Sequence, residues 1–299
     1  MTNQVRLGII TIIIIIPLLS FGIWNSGDTV FFENAEGKSK LVAIASFYPL
    51  YEFTKEIGRD KVDVSLLVPQ GVEPHDWEPT IKDIQKIHQA DLIIINGNGF
   101  EKWVDKIDST QVSIINSGSS FGWSNSNEPA REFDFHYWLN PLSAKLQIDD
   151  IVEGLIQADP ENKIYYKNTK KDYDLKLDAL HYKIKAELDG CKKDFIAFHD
   201  AFSYFAHEYD LNQHTVIQSN IPHSEPTSKK LENILELAKT LEIDIIFSEE
   251  GVDSRTSEVI ANELGGRVLV LSPLEIADDG SSYIEKMEEN LSNLKEALC

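Results

Sequence analysis

The segment between Asp159 and Gly190 constrains the fold more than any other part of this chain. Asp159 and Pro160 form an N-cap followed by proline at the first helical position, and Gly190 is placed to end the helix. Between them, apolar side chains recur at helical spacing: Tyr166, Tyr173, Leu177, Leu180, Ile184 and Leu188. At 1.5 Å per residue such a helix is about 45 Å long, which is more than one lobe needs. The segment therefore predicts a single long helix over 159–190 that joins two lobes.

On both sides of this segment, short apolar strands alternate with short helices. The predicted strands cover residues 41–47, 62–68, 91–95, 112–115, 195–198, 215–218, 243–248 and 267–271. Strands that alternate with helices are typical of βαβ units on a parallel sheet. We therefore expect an α/β fold with two lobes, each built on a mainly parallel sheet. The N-terminal lobe covers 41–158 and the C-terminal lobe covers 191–299.

The N-terminal residues predict export from the cytoplasm. Residues 7–24 are almost wholly apolar and follow Arg6, which is typical of an export signal or a single membrane anchor. We assign residues 1–26 to a signal peptide or anchor, with a slight preference for an uncleaved anchor, and residues 27–40 to a polar linker. No cysteine directly follows the apolar run, so we do not expect a lipid-modified cysteine. The rest of the chain is expected to work outside the cytoplasm, at the cell surface or in the periplasmic space.

Net charge and cysteine content limit the kinds of partner and the covalent links that this chain can have. The formal net charge of −21 argues against nucleic acid as a partner, because binding to phosphates needs clustered Lys and Arg. The two cysteines, Cys191 and Cys299, form either one disulfide in an oxidising compartment or two free thiols. Neither belongs to a C-x-x-C pair, so we do not assign them as metal ligands.

Four widely separated segments each place one polar side chain where a strand passes into a loop or helix. They carry His75 (within 71–79), His136 (within 134–141), His199 (within 195–202) and Glu275 (within 271–275). Neutral imidazoles and a carboxylate suit a borderline-soft divalent cation, above all zinc. Because open α/β sheets bind ligands in the crevice at the strand ends, we expect the four side chains to meet between the lobes. Four protein ligands with no vacant position predict a closed, non-catalytic site.

The sequences of these segments are specific enough to indicate a family. Gly-x-x-Pro-His-x-x-Glu-Pro, His-x-Trp-Leu-Asn-Pro, His-Asp-Ala-Phe-x-Tyr-Phe-Ala and Leu-Ser-Pro-Leu-Glu together resemble the cluster A-I solute-binding proteins, which serve zinc and manganese ABC transporters. The similarity extends over residues 41–298. It implies two lobes bridged by one long helix with the metal between them, Zn²⁺ as the transported ligand, and no enzymatic activity. It also implies a membrane permease with its ATPase as partner, and a monomeric binding protein.

Carried over by position, the resemblance assigns the metal ligands in chain order: His75 and His136 from the N-terminal lobe, then His199 and Glu275 from the C-terminal lobe. Asp278 and Asp279 are the alternatives for the fourth ligand, because manganese-type members use an aspartate in this neighbourhood. Three imidazoles favour zinc, whereas additional oxygen ligands favour manganese. A manganese-binding protein of the same family is therefore the alternative function.

Each imidazole also needs a group that orients it through its other ring nitrogen. The carboxylates placed to do this are Asp76, Asp200, Glu225 and Glu249. Glu225 and Glu249 are preferred, because both lie at strand-to-loop positions. Residues 121–133 contain no histidine, although many zinc-type members carry a His-rich loop in this place, so no auxiliary metal-collecting loop is expected.

Two other functions compete with metal capture. A zinc hydrolase would use the three histidines and a water molecule, with Glu275 or Glu78 as general base. No H-E-x-x-H stretch is present, and ligands from both lobes leave little room for a substrate. A surface protein that holds zinc structurally is the third possibility, and it predicts that chelation unfolds the protein.

Overall fold

The structure is a computed structural model, and it describes residues 40–121, 134–217, 226–277 and 280–299. These residues form one compact unit. The predicted signal or anchor over residues 1–26 lies outside the described residues, as do Glu225, Asp278 and Asp279. Within the described ranges, no helix has the length and apolar character needed to cross a membrane.

The first sheet is parallel and has four strands. They are β1 (Leu41–Ala45), β2 (Val62–Leu66), β3 (Leu92–Ile95) and β4 (Ser113–Asn116), in the order β2-β1-β3-β4. The helices of this lobe are α1 (Tyr48–Gly58), α2 (Ile81–Ile87) and α3 (Pro141–Ala158). Every side chain of β3 is buried, as expected for an inner strand of a parallel sheet that is covered on both faces.

A long helix, α4 (Lys163–Glu187), follows the first lobe. Its 25 residues correspond to a length of about 38 Å. One face is buried against α1, α3 and the C-terminal helix, and this face carries Tyr166, Tyr173, Leu177, Leu180 and Ile184. The helix begins later than the sequence predicts, because Pro160–Asn162 forms a separate 3₁₀ turn before it.

The second sheet repeats the arrangement of the first. Its parallel strands are β5 (Asp194–Ala197), β6 (Asn212–Thr215), β7 (Ile245–Ser248) and β8 (Arg267–Val270), in the order β6-β5-β7-β8. The helices are α5 (Ser203–Glu208), α6 (Ser228–Leu241), α7 (Arg255–Leu264) and α8 (Tyr283–Leu298). The two similar parallel-sheet lobes confirm the predicted fold class.

The predicted strand at 215–218 is displaced in the structure. The observed strand β6 covers Asn212–Thr215 and lies at the edge of its sheet. An edge strand tolerates polar side chains on its exposed side, so Asn212, Gln213 and His214 give no apolar signal. The apolar pair Val216 and Ile217, which suggested the strand, directly follows β6 and is buried.

The two lobes share one apolar core, in which aromatic side chains also supply hydrogen bonds. Trp138 of the first lobe packs edge-on against Phe47, with ring centroids 4.7 Å apart. Its Nε1 donates to the Pro273 carbonyl at 2.7 Å, and the Tyr283 hydroxyl donates to the Trp138 carbonyl at 2.6 Å. These buried bonds hold the two sides of the cleft together.

Cys191 and Cys299 form a disulfide across 108 residues of sequence. The bond ties the end of α8 to the start of the second lobe. This outcome decides between the two alternatives that the sequence left open for the cysteines.

Candidate metal centre

Four predicted side chains come together between the lobes: His75, His136, His199 and Glu275. Their ligand atoms all lie within 4.8 Å of one another, and all four residues are buried. Glu275 Oε1 lies 2.9 Å from Nε2 of both His75 and His136, and His199 Nε2 lies 3.3 Å from His136 Nε2. Tetrahedral zinc with bonds of about 2.0–2.1 Å holds its ligands about 3.3 Å apart. The observed spacing therefore suits a tetrahedral cation.

The fold brings these residues to the same edge of the two sheets. His75 lies in the loop after β2, and His199 follows β5 by two residues. Glu275 lies in the loop after β8. His136 directly precedes the 3₁₀ turn Tyr137–Leu139, which leads into α3. Because the strands within each sheet are parallel, their carboxyl ends lie at one edge of that sheet, and the ligands that follow β2, β5 and β8 come together there.

A carboxylate orients each of two imidazoles through its other nitrogen. His199 Nδ1 donates to Glu249, whose two carboxylate oxygens lie 2.7 Å away, and the His199 backbone N–H donates to Glu249 Oε1 at 3.1 Å. His136 Nδ1 donates to Asp134 Oδ1 at 2.6 Å, and the His136 backbone N–H donates to the same oxygen at 2.9 Å. Both arrangements direct Nε2 into the cluster.

Asp134 is a site residue that the sequence analysis missed. The available signal is its position two residues before His136, since an aspartate can accept the backbone N–H two residues further along. Its second oxygen, Oδ2, accepts a hydrogen bond from the Ser203 hydroxyl, which belongs to the other lobe.

Two predicted orienting residues are placed elsewhere. Asp76 forms an ion pair with Lys102 at 3.5 Å, and Asp200 accepts a hydrogen bond from Gln213. Within the described ranges, neither carboxylate bonds to a histidine of the cluster. Each directly follows a ligand histidine, and adjacent side chains leave the backbone in different directions. Of the four predicted orienting carboxylates, Glu249 is the one that the structure places beside an imidazole, while Glu225 lies outside the described residues.

Glu78, the other general base considered for a hydrolase, is also placed away from the cluster. It pairs with Lys106 near the surface. Glu73 lies closer, since its Oε1 accepts the His75 backbone N–H at 3.0 Å. Burial and the neighbouring Glu275 raise the pKa of Glu73 to about 9, so it adds little negative charge at pH 7.

The electrostatics of the cluster show how its charges balance without a cation. Burial on its own raises the pKa of Glu275, but the adjacent His75 and His136 hold it well below its usual range. Burial lowers the pKa of His75. For His136, burial acts in the same direction, but Asp134 and Glu275 outweigh it and raise the pKa to about 10. His136 is therefore protonated at pH 7 and supplies the positive charge next to Glu275.

Among the residues that the structure describes, Glu275 Oε2 is the ligand-carboxylate oxygen without a hydrogen-bond partner. Glu275 Oε2 is buried, and no hydrogen bond to it is found among the residues that the structure describes. A buried carboxylate oxygen without a partner is costly, and a bound cation removes that cost. The orphaned oxygen therefore agrees with a site built for a cation.

Aromatic rings form the wall of the cluster. The Phe100 ring packs edge-on against His75 with centroids 4.8 Å apart, and the Trp138 ring lies 5.1 Å from that of His136. Such a wall lowers the local dielectric constant and strengthens charge interactions inside the cluster.

With this geometry established, comparison with known proteins identifies the family. The sequence model of the ZnuA family, described as the periplasmic component A of a zinc-uptake complex, matches residues 44–297. The chain belongs to the ZnuA family. The match confirms the resemblance to metal-transporting solute-binding proteins, and it excludes a hydrolase because the family is a solute-binding component of zinc uptake. Members of the ZnuA family work outside the cytoplasm.

Relatives of known sequence agree with this family. The high-affinity zinc uptake system protein ZnuA of Bacillus subtilis strain 168 is 36% identical over 282 residues, which cover 87% of this chain and 88% of that protein. The zinc-binding protein AdcA of Streptococcus pyogenes serotype M3 is 34% identical over 292 residues. This match covers 87% of the present chain but 56% of AdcA, so the chain spans about half the length of that relative.

Solved structures show the same fold. A mutant of the laminin-binding adhesin Lmb from Streptococcus agalactiae superposes with a TM-score of 0.81 at 28% identity, covering 87% of this chain and 100% of Lmb. The Zn(II)-bound ZnuA-like domain of Streptococcus pneumoniae AdcA gives a TM-score of 0.74 at 32% identity, covering 86% and 98% of the two chains.

Proposed function

We propose that this ZnuA-family protein captures one Zn²⁺ ion outside the cytoplasm and delivers it to the permease of an ABC transporter. Four buried side chains from both lobes hold the ion: His75, His136, His199 and Glu275. The observation that carries the proposal is the close approach of their four ligand atoms, which all lie within 4.8 Å of one another.

The set of ligand atoms favours zinc over manganese. Three of the four groups are imidazoles, and Mn²⁺ prefers an octahedral shell richer in oxygen. Glu73, whose Oε1 accepts the His75 backbone N–H, is close to neutral at pH 7 because burial and Glu275 raise its pKa to about 9. It is therefore a poor additional oxygen ligand for manganese.

Competitive titration of the chelated protein with Zn²⁺ and Mn²⁺ tests the proposal. We expect one tightly bound Zn²⁺ per chain and much weaker Mn²⁺ binding. Replacing His75 by alanine removes a ligand, so affinity falls by more than the factor of about 10–100 that loss of an outer partner causes. His214 is a matched control, because it pairs with Asp194 at 2.8 Å outside the cluster; His214→Ala leaves zinc affinity unchanged.

The titration also separates the alternatives. Tighter binding of Mn²⁺ than of Zn²⁺ indicates manganese transport instead. The fourth ligand is then Asp278 or Asp279 in place of Glu275. Unfolding on chelation, followed by circular dichroism, indicates a structural zinc instead of a transported one. Absence of tight binding of either metal refutes the proposal.

Delivery requires partners and a location. The partner is an ABC permease with its ATPase, and the binding protein acts as a monomer.

Residues 7–24 direct export and hold the protein at the membrane. AdcA of Streptococcus pneumoniae is named a lipoprotein, whereas both cysteines of this chain lie far from its N-terminus, in the disulfide. Mass spectrometry of the membrane fraction tests this attachment, because a cleaved protein lacks residues 1–26.

A further inference from the structure

A single buried asparagine holds the backbone that leads to Glu275. The Ser272 N–H donates to Asn290 Oδ1 at 2.8 Å, and Asn290 Nδ2 donates back to the Ser272 carbonyl at 2.7 Å. Asn290 lies in the middle of α8 and is 3% exposed. One amide thus pairs both backbone groups of Ser272, three residues before the proposed ligand.

The next two residues are fixed as well. The Pro273 carbonyl accepts from Trp138 Nε1 of the first lobe, and the Leu274 N–H donates to the Ser272 hydroxyl at 3.1 Å. Leu274 is fully buried and has a φ of +58°, in the left-handed region that leucine rarely adopts. A conformation of this kind persists only where its surroundings hold it in place. The segment before Glu275 therefore depends on the bonds around it.

Helix α8 makes a second connection to the same segment. Lys286 is 2% exposed and lies 3.1 Å from Glu250 Oε2. That oxygen accepts a hydrogen bond from the Ser272 hydroxyl at 3.0 Å. Two side chains of α8, one turn apart, thus connect to Ser272, Asn290 directly and Lys286 through Glu250.

We propose that Asn290 is a positioning residue that sets zinc affinity through Glu275 without contacting the metal. The inference rests on the proposed function. Removing the amide leaves the buried N–H and C=O of Ser272 unpaired, so the segment relaxes and Glu275 Oε1 leaves its position between His75 and His136. Coordination of zinc is sensitive to such movement, because its ligand distances vary little.

The test compares two asparagines on the same helix. Asn293 lies on α8 and donates to the Val270 carbonyl at 2.8 Å, outside the segment that leads to Glu275. We expect Asn290→Ala to lower zinc affinity by about 10–100-fold, as loss of an outer partner does. Asn293→Ala should remain within about twofold of the parent. Asn290→Ser keeps a shorter group that can both accept and donate, so its zinc affinity should fall between those of the other two variants, and it serves if the alanine variant does not fold.

A double-mutant cycle distinguishes positioning from a general loss of stability. If Asn290 acts through Glu275, Asn290→Ala has no further effect on zinc affinity in a Glu275→Ala background. Equal losses in both backgrounds overturn the inference. The visible absorption of bound Co²⁺ gives a second readout, because its intensity reports tetrahedral geometry; it should weaken in Asn290→Ala and persist in Asn293→Ala.

The outcomes separate this inference from the proposed function. If the parent binds Zn²⁺ tightly and loses it in His75→Ala, while folded Asn290→Ala keeps the parent affinity, the positioning role is refuted and zinc capture stands. If the parent itself does not bind zinc, the proposed function fails first.

Discussion

Zinc binding to this site should strengthen about tenfold with each pH unit between pH 7 and pH 9. The reason is the proton on His136, whose pKa is raised to about 10 in the metal-free protein by Asp134 and Glu275 despite complete burial. A metal ligand must be a neutral imidazole, so Zn²⁺ has to displace that proton. Glu275 is already ionised at pH 7 because its pKa is held low, and the lowered pKa of His75 keeps that ring neutral.

The magnitude follows from the displacement of a single proton. Below the pKa of the competing group, apparent affinity changes tenfold per pH unit, which is about 1.4 kcal/mol. The gain from pH 7 to pH 9 is therefore about 100-fold. A histidine with the ordinary pKa of about 6.5 would give almost no gain over this interval, because it is already neutral.

The assay is competition against a chelator of known, pH-corrected zinc affinity at pH 7, 8 and 9. Proton release on adding Zn²⁺ in weak buffer gives an independent count, which should approach one proton per ion at pH 7. A flat affinity between pH 7 and pH 9, with no proton released, refutes the reasoning.

A variant tests the cause of the pH dependence. Asp134→Asn removes the carboxylate that accepts from His136 Nδ1 at 2.6 Å, so the pKa of His136 should fall and the affinity should depend less on pH. Asp194→Asn is the control, since Asp194 pairs with His214 away from the site.

Three further predictions follow from the same structure. Glu249→Gln weakens the bonds to the His199 ring and backbone and should lower zinc affinity by about 10–100-fold in the same competition assay; an unchanged affinity contradicts its orienting role. Cys299→Ser opens the disulfide and should destabilise the protein by about 2–5 kcal/mol in urea unfolding, because the bond closes a 108-residue separation. The raised pKa of His136 contributes stability that is complete below about pH 6.5 and is lost as pH rises through about 10. In the metal-free protein, the Tm difference between the parent and His136→Ala should therefore become smaller as pH rises over this range.

Much of the fold was predictable because it depends on local patterns. The helical repeat of Tyr173, Leu177 and Leu180 predicts the long helix, and the alternation of strands and helices predicts two parallel sheets. The exceptions have identifiable structural causes. The strand β6 is polar because it lies at a sheet edge, and the turn at Pro160–Asn162 delays the start of α4.

The candidate site was also predictable in part and not in full. His75, His136, His199 and Glu275 could be named from the sequence because each lies in a distinctive motif of its own. Asp134, which accepts from His136, was not predicted, since a single aspartate in a loop carries no distinctive pattern.

By itself, the sequence determined the two-lobed parallel α/β class, the family resemblance and the identity of four candidate ligands, because these depend on periodicity and on short motifs. Tertiary structure alone decided which carboxylates face the imidazoles, that Cys191 bonds to Cys299, and that Asn290 holds the segment before Glu275. These contacts join residues from 18 to 108 positions apart. Such pairs cannot be predicted from local sequence patterns, because packing in three dimensions selects one partner among many that are chemically equivalent.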